Sequence, residues 1–187
     1  MSNNNTPEPK RPTWLSRYRH VVNDNGYELM GAYVAGVMDS TSSITVSVAT
    51  QQNTRLGYTI VPRILMERHQ EHLIGVVDNW ALEHGINAKV KQHESNSRQK
   101  YTYSIQSRGD VRKFLELIRP YIVVKHDTIE IILNEILPRL EEGKHKTKEG
   151  FVETIEYADM VRESTARNSY KYDADYFLEE WSDELQA

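Results

Sequence analysis

The sequence predicts an α+β fold: an αββαββα core with a four-stranded antiparallel sheet, followed by additional C-terminal helices. Two observations predict it. Apolar and polar residues alternate along four short runs, the pattern of strands buried on one face only. Those runs come in two pairs, and a stretch with three- and four-residue periodicity precedes each pair. Helix-strand-strand therefore occurs twice, and 187 residues suffice for one such domain with a real core.

Residues 1–12 are rich in Asn, Pro and Lys without periodicity, which predicts disorder. The expected division is an extended or disordered arm over 1–23, a domain over 24–165 and an acidic segment over 166–187. From Tyr27 the run YELMGAYVAGVMD is helical, with Met30, Tyr33, Val34 and Val37 at helical spacing, and Asp24 or Asn25 could cap it. SITVSVAT alternates, with Ile44, Val46 and Val48 on one face. GYTIVPRILM is a second strand, and Pro62, which cannot donate to a ladder, predicts an edge position. His69 to His84 reads as an amphipathic helix, with Gly85 just past its end. NAKVKQH and QKYTYSIQS form a hairpin about the turn ESNSR, burying Ala88, Val90, Tyr101, Tyr103 and Ile105. Three helical stretches follow: DVRKFLELI, stopped by Pro120, then TIEIILNEILPRL, then KEGFVETIEYADMVRES. The aromatic residues Tyr157, Tyr170, Tyr172, Tyr176 and Trp181, set among acids, are expected to pack the end of the chain onto the core.

Composition excludes several chemistries. The absence of cysteine removes disulfides, thiolate metal sites and cysteine nucleophiles. No apolar signal core opens the chain and no run approaches the roughly 18 apolar residues of a membrane span, so a soluble protein without membrane partners is expected. The net charge of −4 is uneven. Asp173, Asp175, Glu179, Glu180, Asp183 and Glu184 follow Lys171 with no Lys or Arg, whereas Ser40 to Lys125 holds twelve basic residues against seven acidic ones. That middle stretch is a modest basic surface of the kind nucleic acid attracts. No glycine-rich phosphate loop or nucleophile elbow is present, and His69 and His72 lack the spacing of a helical zinc pair.

The run AYVAGVMDSTSSITV joins a helix rich in small residues to a strand through an acid. Gly31 with Ala35, and Ala32 with Gly36, fall four apart, and such residues let helix backbones approach closely. The run resembles the motif of the LAGLIDADG homing endonucleases, with Ala35, Gly36 and Asp39 at matching places. The resemblance extends through VPRILMERHQEHLIGVV and KFLELIRPYIVVKHDTIEIILNEIL, so that it spans about Glu28 to Arg162. It implies a saddle-shaped sheet and a homodimer joined through Gly31, Ala32, Ala35 and Gly36. It further implies a near-palindromic double-stranded DNA target, Mg²⁺-dependent phosphodiester hydrolysis and an intron-encoded origin. The family's metal-binding, catalytic acid falls at Thr41 here, leaving Asp39 as the nearby acid for metal and catalysis; Lys125 falls where the family keeps a basic residue near the scissile phosphates.

Alternation groups Thr45 and Ser47, Thr59 and Arg63, Lys89, Lys91 and His93, and Lys100, Thr102, Ser104 and Gln106 on the polar sheet face. Such donors and acceptors can read groove edges. Beside a protein-interaction dimer without nucleic acid, two readings stand with Thr41 in place of the acid: a DNA endonuclease, or a cleavage-inactive relative acting as a DNA-binding regulator or RNA maturase, for which RNA is a second partner. A cytoplasmic, nucleoid-associated location is expected of either.

Overall fold

A computed structural model describes residues 27–95, 98–163 and 170–185. The expected arm over 1–23, the caps Asp24 and Asn25 and the turn residues Asn96 and Ser97 lie outside the described residues.

The chain order is α1 (Tyr27–Thr41), β1 (Ser42–Thr50), β2 (Tyr58–Arg68), α2 (Glu71–Glu83), β3 (Lys89–Ser95), β4 (Arg98–Ile105) and α3 (Arg108–Ile118). A 3₁₀ turn, Arg119–Tyr121, leads to α4 (His126–Ile131), which runs through a π turn, Ile132–Ile136, into α5 (Leu137–Glu142). After a second 3₁₀ turn, Lys144–Lys146, come α6 (Lys148–Glu163), α7 (Ala174–Glu180) and α8 (Ser182–Leu185). The αββαββα order is thus followed by further helices, as the sequence predicts. Among the described residues no helix is long and apolar enough to cross a membrane.

The four strands form one antiparallel sheet in the order β1-β2-β4-β3. Ile44, Val46, Ile60, Ile64, Met66, Tyr103 and Ile105 are buried on its helix-covered face, where they meet Val34, Met38, Trp80 and Phe114 in one core. Removing such a large core side chain costs about 3–5 kcal/mol.

The edge position expected for β2 is corrected: β2 is an interior strand, flanked by β1 and β4. β1 pairs along it from Ser42↔Met66 to Thr50↔Tyr58, but β4 pairs only from Ile64 to Arg68. Residues 58–63 therefore have one open flank, and a missing N–H at Pro62 costs no ladder bond to β4 there. The proline marks a local edge within an interior strand.

Another proline shapes the helical layer. Pro138 lacks an N–H and would collide with the carbonyl four residues before it in a regular helix. The turn ahead of it widens, so that Leu137 N–H reaches Ile132 O, and the apolar run continues with Ile132, Ile136, Leu137 and Leu140 all buried. Gly85 (φ 67°) ends the turn after α2, as expected.

The acidic end of the chain folds back onto the core. Phe177 is fully buried and Trp181 nearly so, and both meet Tyr58 with ring centroids at 4.9 and 6.2 Å. The Tyr58 hydroxyl lies 3.2 Å from that of Tyr176; this hydrogen bond, with burial, pushes its phenol up to about 12. Arg162, 3 % exposed, ties α6 to both neighbours: it donates to Val46 O on β1 (2.9 Å), to Tyr172 O (2.9 Å) and to Asp159 (2.6 Å).

Candidate nucleic-acid interface

Three sequence-predicted residues meet where α1 ends. Asp39 is half-buried, and both of its carboxylate oxygens are engaged: Oδ2 accepts from Val123 N–H (2.8 Å) and Val124 N–H (3.1 Å), Oδ1 from Lys125 N–H (3.0 Å). Burial pushes its carboxyl up, but those three donors and the Lys125 charge outweigh burial and hold it below the ordinary range. The Lys125 ammonium donates to Met38 O (2.9 Å) and Asp39 O, placing a cation at the negative end of the helix. Burial lowers its pKa, against the opposing pull of Asp39.

The hydroxyls beside them turn back onto the helix. Thr41 Oγ1 donates to Val37 O (2.6 Å) and lies 3.3 Å from Met66 Sδ, Ser40 donates to Gly36 O (2.9 Å), and Ser42 donates to Met38 O (2.7 Å). Ser42 and Lys125 thereby serve Met38 O and Asp39 O, two of the carbonyls that a helix end leaves open, while Ser40 and Thr41 bond back onto the preceding turn. This set is poor in charge for a hard divalent cation, which favours several carboxylate oxygens: Thr41 is neutral, and the single carboxylate, Asp39, already accepts three backbone N–H groups. Among the described residues, no group of three or more His, Asp or Glu is placed to hold a metal.

The four small residues of α1 divide between two faces. Gly31 and Ala35 are buried in the chain's own core; a Cβ on Gly31 would stand 3.2 Å from the Tyr121 ring. Ala32 and Gly36 are exposed, in a stripe with Leu29, Tyr33 and Ser40 at three- and four-residue steps. Leu29 is 62 % and Tyr33 45 % exposed, so an apolar stripe without a cover runs along the helix. Nothing lies within 4 Å of a Cβ built on Gly36. Close approach of a second helix is thus possible at Ala32 and Gly36 but not at Gly31 and Ala35.

On the sheet, the register brings the predicted polar residues onto the face away from the helices. Thr45 stands opposite Arg63, Lys91 opposite Thr102, His93 opposite Lys100 and Lys89 opposite Ser104. Lys89, Lys91 and His93 are exposed along the β3 edge, and Gln106 is exposed just past β4. Thr45 Oγ1 and Arg63 Nε are buried without a hydrogen-bond partner among the described residues, and Thr59 is half-buried. Ser47 is half-buried and donates to Val61 O (3.4 Å). Ser104 departs from expectation: at 6 % exposure it is enclosed between Leu65 on β2 and Lys89 on β3.

Two residues of this face were missed by sequence reasoning. Glu67 on β2 takes a salt bridge from Lys100 (2.9 Å) and a hydrogen bond from Thr102 (3.3 Å). Its carboxyl is held low, chiefly by Lys100. Arg98, exposed at the start of β4, shares the face with Lys100 and adds a cation. The signal for both was parity: Glu67 lies two residues after Leu65, and Arg98 two before Lys100. Exposed pairs such as Lys100–Glu67 contribute about 0–1 kcal/mol, so a stronger anion can take the lysine over.

No protein-family model and no curated protein matches the chain. Solved structures do. The archaeal intron-encoded homing endonuclease I-Vdi141I, complexed with DNA, superposes with a TM-score of 0.72 at 16 % identity, over 87 % of this chain and 100 % of that one. The homing endonuclease I-CvuI, in complex with a DNA target not cleaved in 2 mM Mg, gives 0.71 at 16 % identity, over 84 % and 95 %. The LAGLIDADG homing endonuclease I-SmaMI, bound to cleaved DNA, gives 0.61 at 14 % identity, over 82 % of this chain but 48 % of that one. With the sheet order, the helix entering it and near-complete coverage of two such proteins, this chain has the fold of the LAGLIDADG homing endonucleases.

Proposed function

We propose that this protein binds double-stranded DNA site-specifically as a homodimer and does not cut it. The observation that carries the reading is the sheet face. Arg63, Lys89, Lys91, Arg98, Lys100 and His93 stand on one twisted β surface, interleaved with Thr45, Thr59 and Thr102. Cations hold the phosphates and give salt-dependent affinity; hydroxyls and Gln106 suit the edges of bases in a major groove.

The exposed stripe Leu29, Ala32, Tyr33 and Gly36 supports pairing of two copies about a twofold axis. So does I-SmaMI, of whose longer chain this one matches about half. Two saddles so joined present two equal half-sites, and a near-palindromic target follows. The non-cutting part rests on Thr41, a neutral hydroxyl where the resemblance puts the metal-binding acid, and on Asp39, a single carboxylate engaged by three backbone N–H groups. Under this reading the helix end positions the duplex, with the Lys125 ammonium holding Met38 O and Asp39 O. A DNA-bound regulator is the role that remains; the acidic tail gives RNA no separate support.

Three results are expected. A duplex from the protein's own locus is retarded in a salt-sensitive gel shift, and Lys89→Glu with Lys91→Glu abolishes the shift while the circular-dichroism spectrum is unchanged; binding that survives both substitutions sinks the sheet reading. Adding Mg²⁺ to the complex leaves the duplex intact, and metal-dependent double-strand cuts would overturn the non-cutting part. Gly36→Arg yields a monomer in sedimentation and binds a palindromic target at least ~100-fold more weakly, because one half-site's contacts are lost. The fold tolerates that change, since the space at Gly36 is open and glycine is the poorer helix former by about 1 kcal/mol.

A further inference from the structure

Where β4 leaves β2, the open flank at residues 58–63 borders a notch of about 570 Å³. Its lining includes Arg55 from the β1–β2 loop, Tyr58 and Thr59 from β2, Arg108 from the start of α3, and His145 and Lys146 from the 3₁₀ turn after α5. No Asp or Glu lines it. Among the described residues Arg55, Arg108 and Lys146 form no ion pair. Arg55 and Lys146 also border an adjoining hollow that holds Glu149 and Glu184, where Lys148 already engages Glu184 at 2.5 Å.

One of the cations is held in place. Arg108 Nη1 donates to Leu140 O (3.1 Å), while its Nη2 comes within 3.5 Å of His145 Nε2. An arginine kept beside an imidazole, with no counter-ion in the cavity, is an arrangement that an anion would relieve. Burial, and next the Arg108 charge, push His145 below its ordinary value, so the imidazole is neutral at pH 7. Thr59 belongs both to the notch and to the polar sheet face, which makes the two surfaces continuous.

We propose that this notch is a phosphate site, and that the phosphate is a backbone phosphodiester of a duplex lying on the sheet. This part rests on the DNA-binding reading above; that the notch takes a phosphate group does not. The three cations suit a tetrahedral dianion or a phosphodiester, with Arg108 as the fixed partner and Arg55 and Lys146 as exposed arms that close on it. The duplex would then be gripped beyond the last paired residue of β4.

The test uses the full chain and two probes. Inorganic phosphate is titrated while the histidine resonances are followed by NMR, with His145→Gln identifying the signal. Phosphate is expected to raise the titration midpoint of His145, and Arg55→Ala with Lys146→Ala to remove that rise. A midpoint that phosphate leaves unmoved overturns the site. In parallel, duplex affinity is measured against salt: the same double variant is expected to lower the log–log slope by about 0.9 per protomer, one phosphate contact. If the wild-type chain binds duplex and the slope does not change, the backbone source is wrong and the notch takes free phosphate alone. If the wild-type chain binds no duplex, the function proposed above fails, and the phosphate titration still decides the notch.

Discussion

Asp39→Ala is expected to lower folding stability by about 2–4 kcal/mol, a fall in melting temperature on the order of 10 °C. The substitution leaves the N–H groups of Val123, Val124 and Lys125 without their acceptor at the entry to α4, which has no capping side chain of its own. It also removes the anion beside the Lys125 ammonium. Asp39→Asn keeps one acceptor oxygen and should cost about half as much. The effect carries a pH signature. The folded carboxyl is held below the ordinary value of 3.8, so its stabilisation is complete above that pH and is lost as pH falls through the folded value. Acid unfolding followed by circular dichroism should therefore separate wild type from Asp39→Asn at neutral pH and bring them together in strong acid. Equal stability at pH 7 would mean that the carboxylate does not hold the helix end.

Arg162→Leu should cost more, about 3–5 kcal/mol, because a buried charged network loses one member and keeps the others. Val46 O and Tyr172 O lose their donor, and Asp159, which also accepts from Ala174 N–H at 2.8 Å, loses its partner. The damage should spread to the end of the chain, since Arg162 joins α6 to the segment carrying α7. The near-ultraviolet signal of the Tyr58, Phe177 and Trp181 cluster is the readout. Arg162→Lys should rescue little: one ammonium cannot serve three acceptors spread around a planar guanidinium. A Leu variant with unchanged melting and aromatic signal would remove Arg162 from the account of how the chain end is held.

These sites differ in how far the sequence revealed them. The strands were legible because the sheet is covered on one side only, so Ile44 and Val46 alternate visibly with Thr45 and Ser47. The interior place of β2 was not, because it depends on where β4 stops, and the pairing of Ile64 with Ile105 leaves no local mark. Of the four small residues in α1, spacing could name the set but not the sides. Gly31 and Ala35 face Tyr121 and the chain's own core, whereas Ala32 and Gly36 face outward. Asp39 stood out as an acid at a helix end, yet its partners lie 84 to 86 residues further on, a distance no motif spans. The sheet face was readable by parity alone, and parity also carried Glu67 and Arg98, which a search for basic and hydroxyl residues within each run passed over.

The span between Asp39 and Lys125 bears on the order of events during synthesis. At roughly 5–20 residues per second, on the order of ten seconds separates the emergence of the two ends of this strap. For that interval the nascent chain displays the whole small-residue helix and the first hairpin, but neither the ammonium that closes the helix end nor the backbone donors that hold Asp39. Its apolar underside also waits for the helix carrying Phe114 and Ile118 to cover it. A closed helix end is therefore a property of the finished polypeptide, and a message broken before codon 125 yields a product that carries the helix without its anchor.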